Sequence, residues 1–199
     1  MKSTLIREMK QSGYIETSSD GSMSRLLKPS DNDFSLGFLI GTAGRENLIS
    51  AQWGVVHKPM WELQQEVENL KELNLQFLLF SNSIHLGVKA DISESSSELK
   101  AVLTSLQSCI EFMESQEKAI LENTSNALAS FITPTVFSYD KHLLNEGMAH
   151  YYGLLFKHLK SGISVQEINH HIETLLASGI SERSPPVYKM RLLSSYVGS

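Results

Sequence analysis

A single cysteine, Cys109, stands among 199 residues, so no disulfide can close within the chain. A lone thiol suits a reducing compartment. Long apolar runs are missing too: the longest candidates are short pieces such as LQFLLF, against the roughly 20 residues that span a bilayer. The opening MKSTLIREMKQSGYIE scatters charges through its apolar positions and lacks the hydrophobic centre of a secretory signal. These absences lead to the expectation of a cytoplasmic protein with no direct membrane insertion. Basic charge is in short supply, since 17 Lys and Arg against 22 Asp and Glu leave a net charge of -5. That balance repels phosphate backbones and anionic lipid and argues against nucleic acid as a partner.

Catalytic signatures are also wanting. There is no Gly-x-Ser-x-Gly and no Cys-x-x-Cys, and GTAGR at 41–45 lacks the Gly-Lys-Ser/Thr ending of a phosphate-binding loop. Cys109, in LQSCIEFM, lies among core-type positions beside glutamates, conditions that favour an inert thiol. The expectation is a protein that is not an enzyme and needs no cofactor.

What is present reads as a globular chain. A hydrophobic share of 41% with 20% charged residues lies far from the composition of disorder, and the length suits one core. The periodicity predicts an all-α fold, a single helical domain over 1–199 with roughly five to seven helices, a flexible loop at 13–33 and an irregular tail at 182–199. A short amphipathic segment at 3–12 ends at Gly13, and ETSSDGSMSRLLKPSDND follows as the loop. FSLGFLIGTAGRENLISAQWG is read as one or two short helices despite its glycines. Pro59 suits a first helical turn, and Met60, Leu63, Val67, Leu70 and Phe77 carry that helix to about Phe80.

A longer helix starts near SESSSELK, where Ser95 and Glu98 have capping-box spacing, and runs to Pro134 with an interruption expected at Asn123 to Asn126. A third helix is expected over 140–161. In GISVQEI, Ser164 caps a fourth that stops at Gly179.

HLLNEGMAHYY at 142–152 spaces His142, Glu146 and His150 at four-residue steps, a helical alignment of ligand-type side chains. On a wheel at roughly 100° per residue the three lie opposite the apolar set of Leu144, Met148, Tyr151, Tyr152, Leu155 and Leu159, with Lys157 and Lys160 beside them. Bundle metal sites project inward, so this stripe is read as a solvated face, and a candidate partner contact, rather than as a metal site. Glu167 and His170 have the Glu-x-x-His spacing of di-iron bundles, but the pair occurs once and His170 points away from the apolar face. LKSGISVQEINHHIETLL has a helix-turn-helix cadence, yet Gln166, Glu167, Asn169, His170 and Glu173 would bring two carboxylates and no cation to DNA.

Surfaces remain. Asp91, Glu94, Glu98, Glu111, Glu114, Glu117 and Glu122 oppose only Lys100 and Lys118, an acidic stretch able to dock a basic segment. Trp53 and Trp61 flank a loop with His57 and Pro59; core burial is the first reading for both, and tryptophan is also a preferred interface anchor. In size, acidity, helix content, single cysteine and the Ser, Asn and His-rich segments ENTSNALAS and INHHIETLL, the chain resembles LvgA-like adaptor subunits of the bacterial Dot/Icm type IV secretion coupling complex.

That resemblance implies a noncatalytic, chaperone-like subunit docked on the coupling ATPase with fellow adaptors, helping recruit effector proteins. The expectation is thus an adaptor whose partners are other proteins, with candidate contacts at His142, Glu146, His150, Glu111, Glu114 and Trp61. A metal-binding helical bundle and a helix-turn-helix DNA-binding regulator are the competing readings.

Overall fold

The computed structural model describes residues 2–19, 23–30, 33–43, 48–70, 79–89, 97–132 and 146–199. The elements run α1 (Lys2–Gln11), β1 (Ile15–Ser19), β2 (Met23–Leu27), β3 (Phe34–Ala43), β4 (Leu48–His57), α2 (Lys58–Glu68), β5 (Leu79–Lys89), α3 (Ser97–Ala129), α4 (Glu146–Ser161), α5 (Val165–Ala177) and α6 (Pro185–Gly198). The all-α expectation is therefore corrected. The chain mixes helices with a five-stranded sheet in sequential order β1-β2-β3-β4-β5, every neighbouring pair antiparallel.

FSLGFLIGTAGRENLISAQWG is the clearest reversal, because its two ends form β3 and β4 rather than helices. In β3 the residues Leu36, Phe38 and Ile40 recur every second position and are buried, which is strand periodicity. Their partners keep them on one face: Leu36 opposes Val55, and Phe38 lies between Leu26 of β2 and Trp53 of β4. The alternate positions Gly37, Leu39 and Gly41 belong to the other face, and a helix would have been weakened by those glycines. Part of the expected 13–33 loop likewise pairs as β1 with β2, with a bulge between Glu16 and Ser18.

Two helices differ from expectation in length. α2 begins as the sequence suggests, with Pro59 in its first turn, but stops at Glu68 because Asn69 turns left-handed (φ 49°) and closes the end by hydrogen bonds to Gln65 and Glu66. The apolar text after it resumes as strand β5 rather than more helix, and Asn74 and Phe77 lie outside the described residues. α3 runs 33 residues without the interruption expected at Asn123 to Asn126. There Thr124 is buried with its hydroxyl donating to the Ile120 carbonyl, a bond that lets a polar side chain sit inside a helix. Its proposed Ser95 cap lies outside the described residues.

The tail expected at 182–199 holds α6, whose Pro185 and Pro186 occupy the first turn, where proline costs nothing. α5 starts as its spacing suggests: Ser164 accepts a hydrogen bond from the Glu167 amide, and Gly179 (φ 92°) lies just past the helix end.

One core joins the sheet to the helices. Leu26, Leu36, Phe38, Ile40 and Val55 from the sheet meet Leu5 and Met9 of α1, Leu106, Ile110 and Met113 of α3, and the interior of α4, α5 and α6 in a single buried cluster. On the other sheet face Val56 is buried with Leu27, Leu39 and Trp61 around it.

α4 is the central helix. Gly147, Ala149 and every residue from Tyr151 to Phe156 are buried, a helix enclosed nearly all round. Gly153 lets the end of α3 press on it. A Cβ there would fall 2.5 Å from Phe131 Cδ1 and 2.8 Å from the Leu128 carbonyl oxygen.

Candidate interaction surface and buried polar groups

α3 spans about 50 Å at 1.5 Å per residue. Leu106, Ile110, Met113, Ile120, Thr124 and Leu128 form its buried stripe, while Glu111, Glu114 and Glu122 are exposed on the remaining circumference. Phe112 lies to one side of them, with 55% of its surface in water. Lys28, at the end of β2, reaches across to Glu117 (3.0 Å) and Glu114 (3.4 Å), so one flank of the acidic face is tied to the sheet. Glu111 instead accepts from Gln107 along the helix (3.0 Å). Lys118, also exposed, pairs with Glu122 (3.9 Å), so this outward ridge carries an acidic excess broken by one cation, with an aromatic ring beside it.

The six residues singled out from the sequence do not form one site. Glu111 and Glu114 share the α3 ridge, whereas Trp61 packs half-buried against the outer sheet face. His142 lies outside the described residues. Glu146 opens α4 and is exposed, while His150 does not join it in a solvated stripe. The His150 ring is half-buried between α4 and α5, where its Nδ1 lies 2.8 Å from His171 Nδ1.

Phe131, held at a left-handed φ of 58° past the end of α3, places its ring 4.5 Å from that of His171 and 5.9 Å from that of His150. Burial lowers the proton affinity of both imidazoles, and for His171 the neighbouring His150 ring lowers it further. Lys157, placed on the same stripe by the wheel, pairs with Glu167 of α5. A helical wheel cannot register α5 or Phe131, which is why it read the face as open. His171 carried a faint signal: it lies at the margin of the α5 apolar face, about 40° from Glu167 on the same wheel.

Two further polar groups escaped sequence reasoning. Glu68, at the end of α2, has only 10% of its side chain exposed. One carboxylate oxygen accepts from Gln64 Nε2 (2.6 Å) and from the Tyr151 hydroxyl (2.9 Å), and the other pairs with the Lys189 ammonium of α6. Burial, then the Glu68 carboxylate, push the Tyr151 hydroxyl far above its ordinary pKa, so it stays a donor. Nearby Glu66 accepts from the Tyr196 hydroxyl at 2.8 Å. Carboxylates of α2 thus hold α4 and α6.

The other group is His57, buried where β4 meets α2. Its Nδ1 accepts from the Met60 amide (3.1 Å) and caps the helix, while Nε2 lies 4.0 Å from an Asp33 carboxylate oxygen. Burial drives its pKa down to about 4, with Asp33 opposing. The neutral ring, packed edge-on against Phe34 and Phe156, is a structural cap rather than a free base.

Among the described residues no three His, Cys, Asp or Glu side chains converge as a metal-ligand set, and no helix is long and apolar enough to cross a membrane. No protein-family model, no curated protein and no solved structure matches the chain.

Proposed function

We propose that the chain is a noncatalytic adaptor that docks a basic, partly apolar segment of another protein along the outer face of α3. The observation that carries this reading is the ridge itself: about 50 Å of helix whose exposed side combines Glu111, Glu114 and Glu122 with a half-exposed Phe112. An excess of carboxylates over the single exposed ammonium of Lys118 between Glu111 and Glu122 steers a basic partner, and the phenyl ring beside them supplies apolar contact area.

The secretion-adaptor resemblance rested in part on an all-helical chain, and the sheet removes that part. Size, acidity and surface composition still support it, and on this reading the partners are the coupling ATPase, fellow adaptors and effector proteins. The test is co-purification from the native host, comparing the wild-type chain with Glu111→Lys combined with Phe112→Ser. The same specific proteins should accompany the wild type and be lost from the double variant while its circular dichroism is unchanged. A solitary monomer, or undiminished partners on the variant, would overturn the reading.

A further inference from the structure

The facing imidazoles of α4 and α5 are the best-defined cluster of ligand-type atoms outside the α3 ridge. Two Nδ1 atoms 2.8 Å apart can share one hydrogen between them, with one ring donating and the other accepting. A metal ion bound to both would need nitrogens about 3.3 Å apart, given metal–nitrogen bonds of about 2.0–2.1 Å at a tetrahedral centre. Parting the rings by roughly half an ångström is a side-chain adjustment.

We propose that His150 and His171 bind one divalent transition-metal ion of the zinc, nickel and copper class through their Nδ1 atoms. Imidazole nitrogen selects these borderline ions over magnesium and calcium, which take oxygen. The two rings come from different helices and are braced by Phe131, so their Nδ1 atoms already face each other without the ordering cost that two mobile surface histidines would carry. The proton balance is simple: the ring that carries hydrogen on Nδ1 shifts it to Nε2 as the ion takes its place. Two imidazoles leave positions open. Water takes those positions, since no third His, Cys, Asp or Glu converges on the pair among the described residues. This site is independent of the α3 ridge.

Isothermal titration of the full chain with zinc chloride at pH 7.5 tests the proposal, with zinc ion itself as the probe. One equivalent should bind. Affinity should fall at least tenfold in both His150→Gln and His171→Gln, and stay within about threefold of wild type in His170→Ala and Cys109→Ser. Ring-nitrogen NMR of the wild type should show both Nδ1 resonances moving on addition of zinc, which a merely stabilising role for the histidines would not produce. No binding by the wild type, equal binding by the two glutamine variants, or loss of binding in Cys109→Ser would overturn it. Circular dichroism of each variant separates lost ligation from lost fold, and in the event of a folding defect the NMR shifts of the wild type decide alone.

Discussion

Gly153→Ala tests how closely α3 is seated on α4. In the middle of a helix alanine normally gains about 1 kcal/mol over glycine. Here the new methyl would stand 2.5 Å from Phe131 Cδ1 and 2.8 Å from the Leu128 carbonyl oxygen, both well inside van der Waals contact. The phenyl ring cannot swing clear without leaving the two histidine rings it packs on, and the carbonyl is backbone. Overpacking of this kind costs about 1–3 kcal/mol, and two close contacts, one immovable, place it near the upper end. After the propensity gain a net loss of about 2 kcal/mol remains, which for a chain of this size lowers Tm by about 4–8 °C.

Urea and thermal denaturation followed by circular dichroism measure both quantities. Phe131→Ala provides the second arm. Once the ring is gone, the methyl meets only the carbonyl, so the double variant should be less destabilised than the sum of the singles by about 0.5 kcal/mol or more. A Gly153→Ala protein as stable as wild type, or more so, would refute the close seating of Phe131 and with it the bracing of the histidine pair.

Other perturbations address the remaining features. Because His57 is held near a pKa of about 4 against 6.5 for an ordinary histidine, the unfolded chain takes up a proton first as pH falls; its contribution is intact above pH 6.5 and is lost at about 1.4 kcal/mol per unit down to about pH 4, some 3 kcal/mol in all. Urea midpoints of wild type and His57→Asn across that range should differ in slope, and equal slopes would dismiss the buried cap. Glu68→Ala leaves the Lys189 ammonium and the Tyr151 hydroxyl without their shared acceptor and should cost about 3–5 kcal/mol, while Glu68→Leu combined with Lys189→Met should recover much of it; a Glu68→Ala loss below 1 kcal/mol in chemical denaturation would contradict the network. Ser164→Ala removes the α5 cap and should cost about 1 kcal/mol by the same assay. Phe112→Ser should change stability by less than about 0.5 kcal/mol, since the ring is largely in water; a larger loss would mean that it packs in the fold rather than serving a partner.

Legibility in the sequence followed the range of the interaction. Ser164, Gly179, Gly13 and Pro59 act on residues within one turn, so the boundaries they mark are where the spacing places them. β3 and β4 are different: Leu36, Phe38 and Ile40 alternate, but Leu39 fills the gap between them and makes the run look continuous, and only pairing with Val55 and Leu26 settles the period. Pro185 and Pro186 punctuate a loop or open a helix with equal ease, and α6 exists because Val187, Met190 and Leu193 find a core contributed by distant segments. Of the acidic stretch read from charge, Glu111, Glu114 and Glu122 are exposed on α3 and Glu117 is half-buried, while Asp91 and Glu94 lie outside the described residues. His150 was misplaced because direction on one helix says nothing about which helix lies across from it.

The sheet and the last helix stand at opposite extremes of chain separation. Each strand pairs with the next strand in order, so β1 to β4 can zip together by short closures. The Glu68–Lys189 pair instead closes 121 residues, a step that costs about 2 kcal/mol more in chain entropy than a ten-residue closure. α6 should therefore dock late in folding, after the local strand pairs have formed, and its amides should gain protection after those of the sheet in pulse-labelled hydrogen exchange. Its arrival supplies the cation that neutralises Glu68 and closes the wall beside Tyr151, so the largely buried carboxylate of α2 finds its counter-charge only when the far end of the fold is in place.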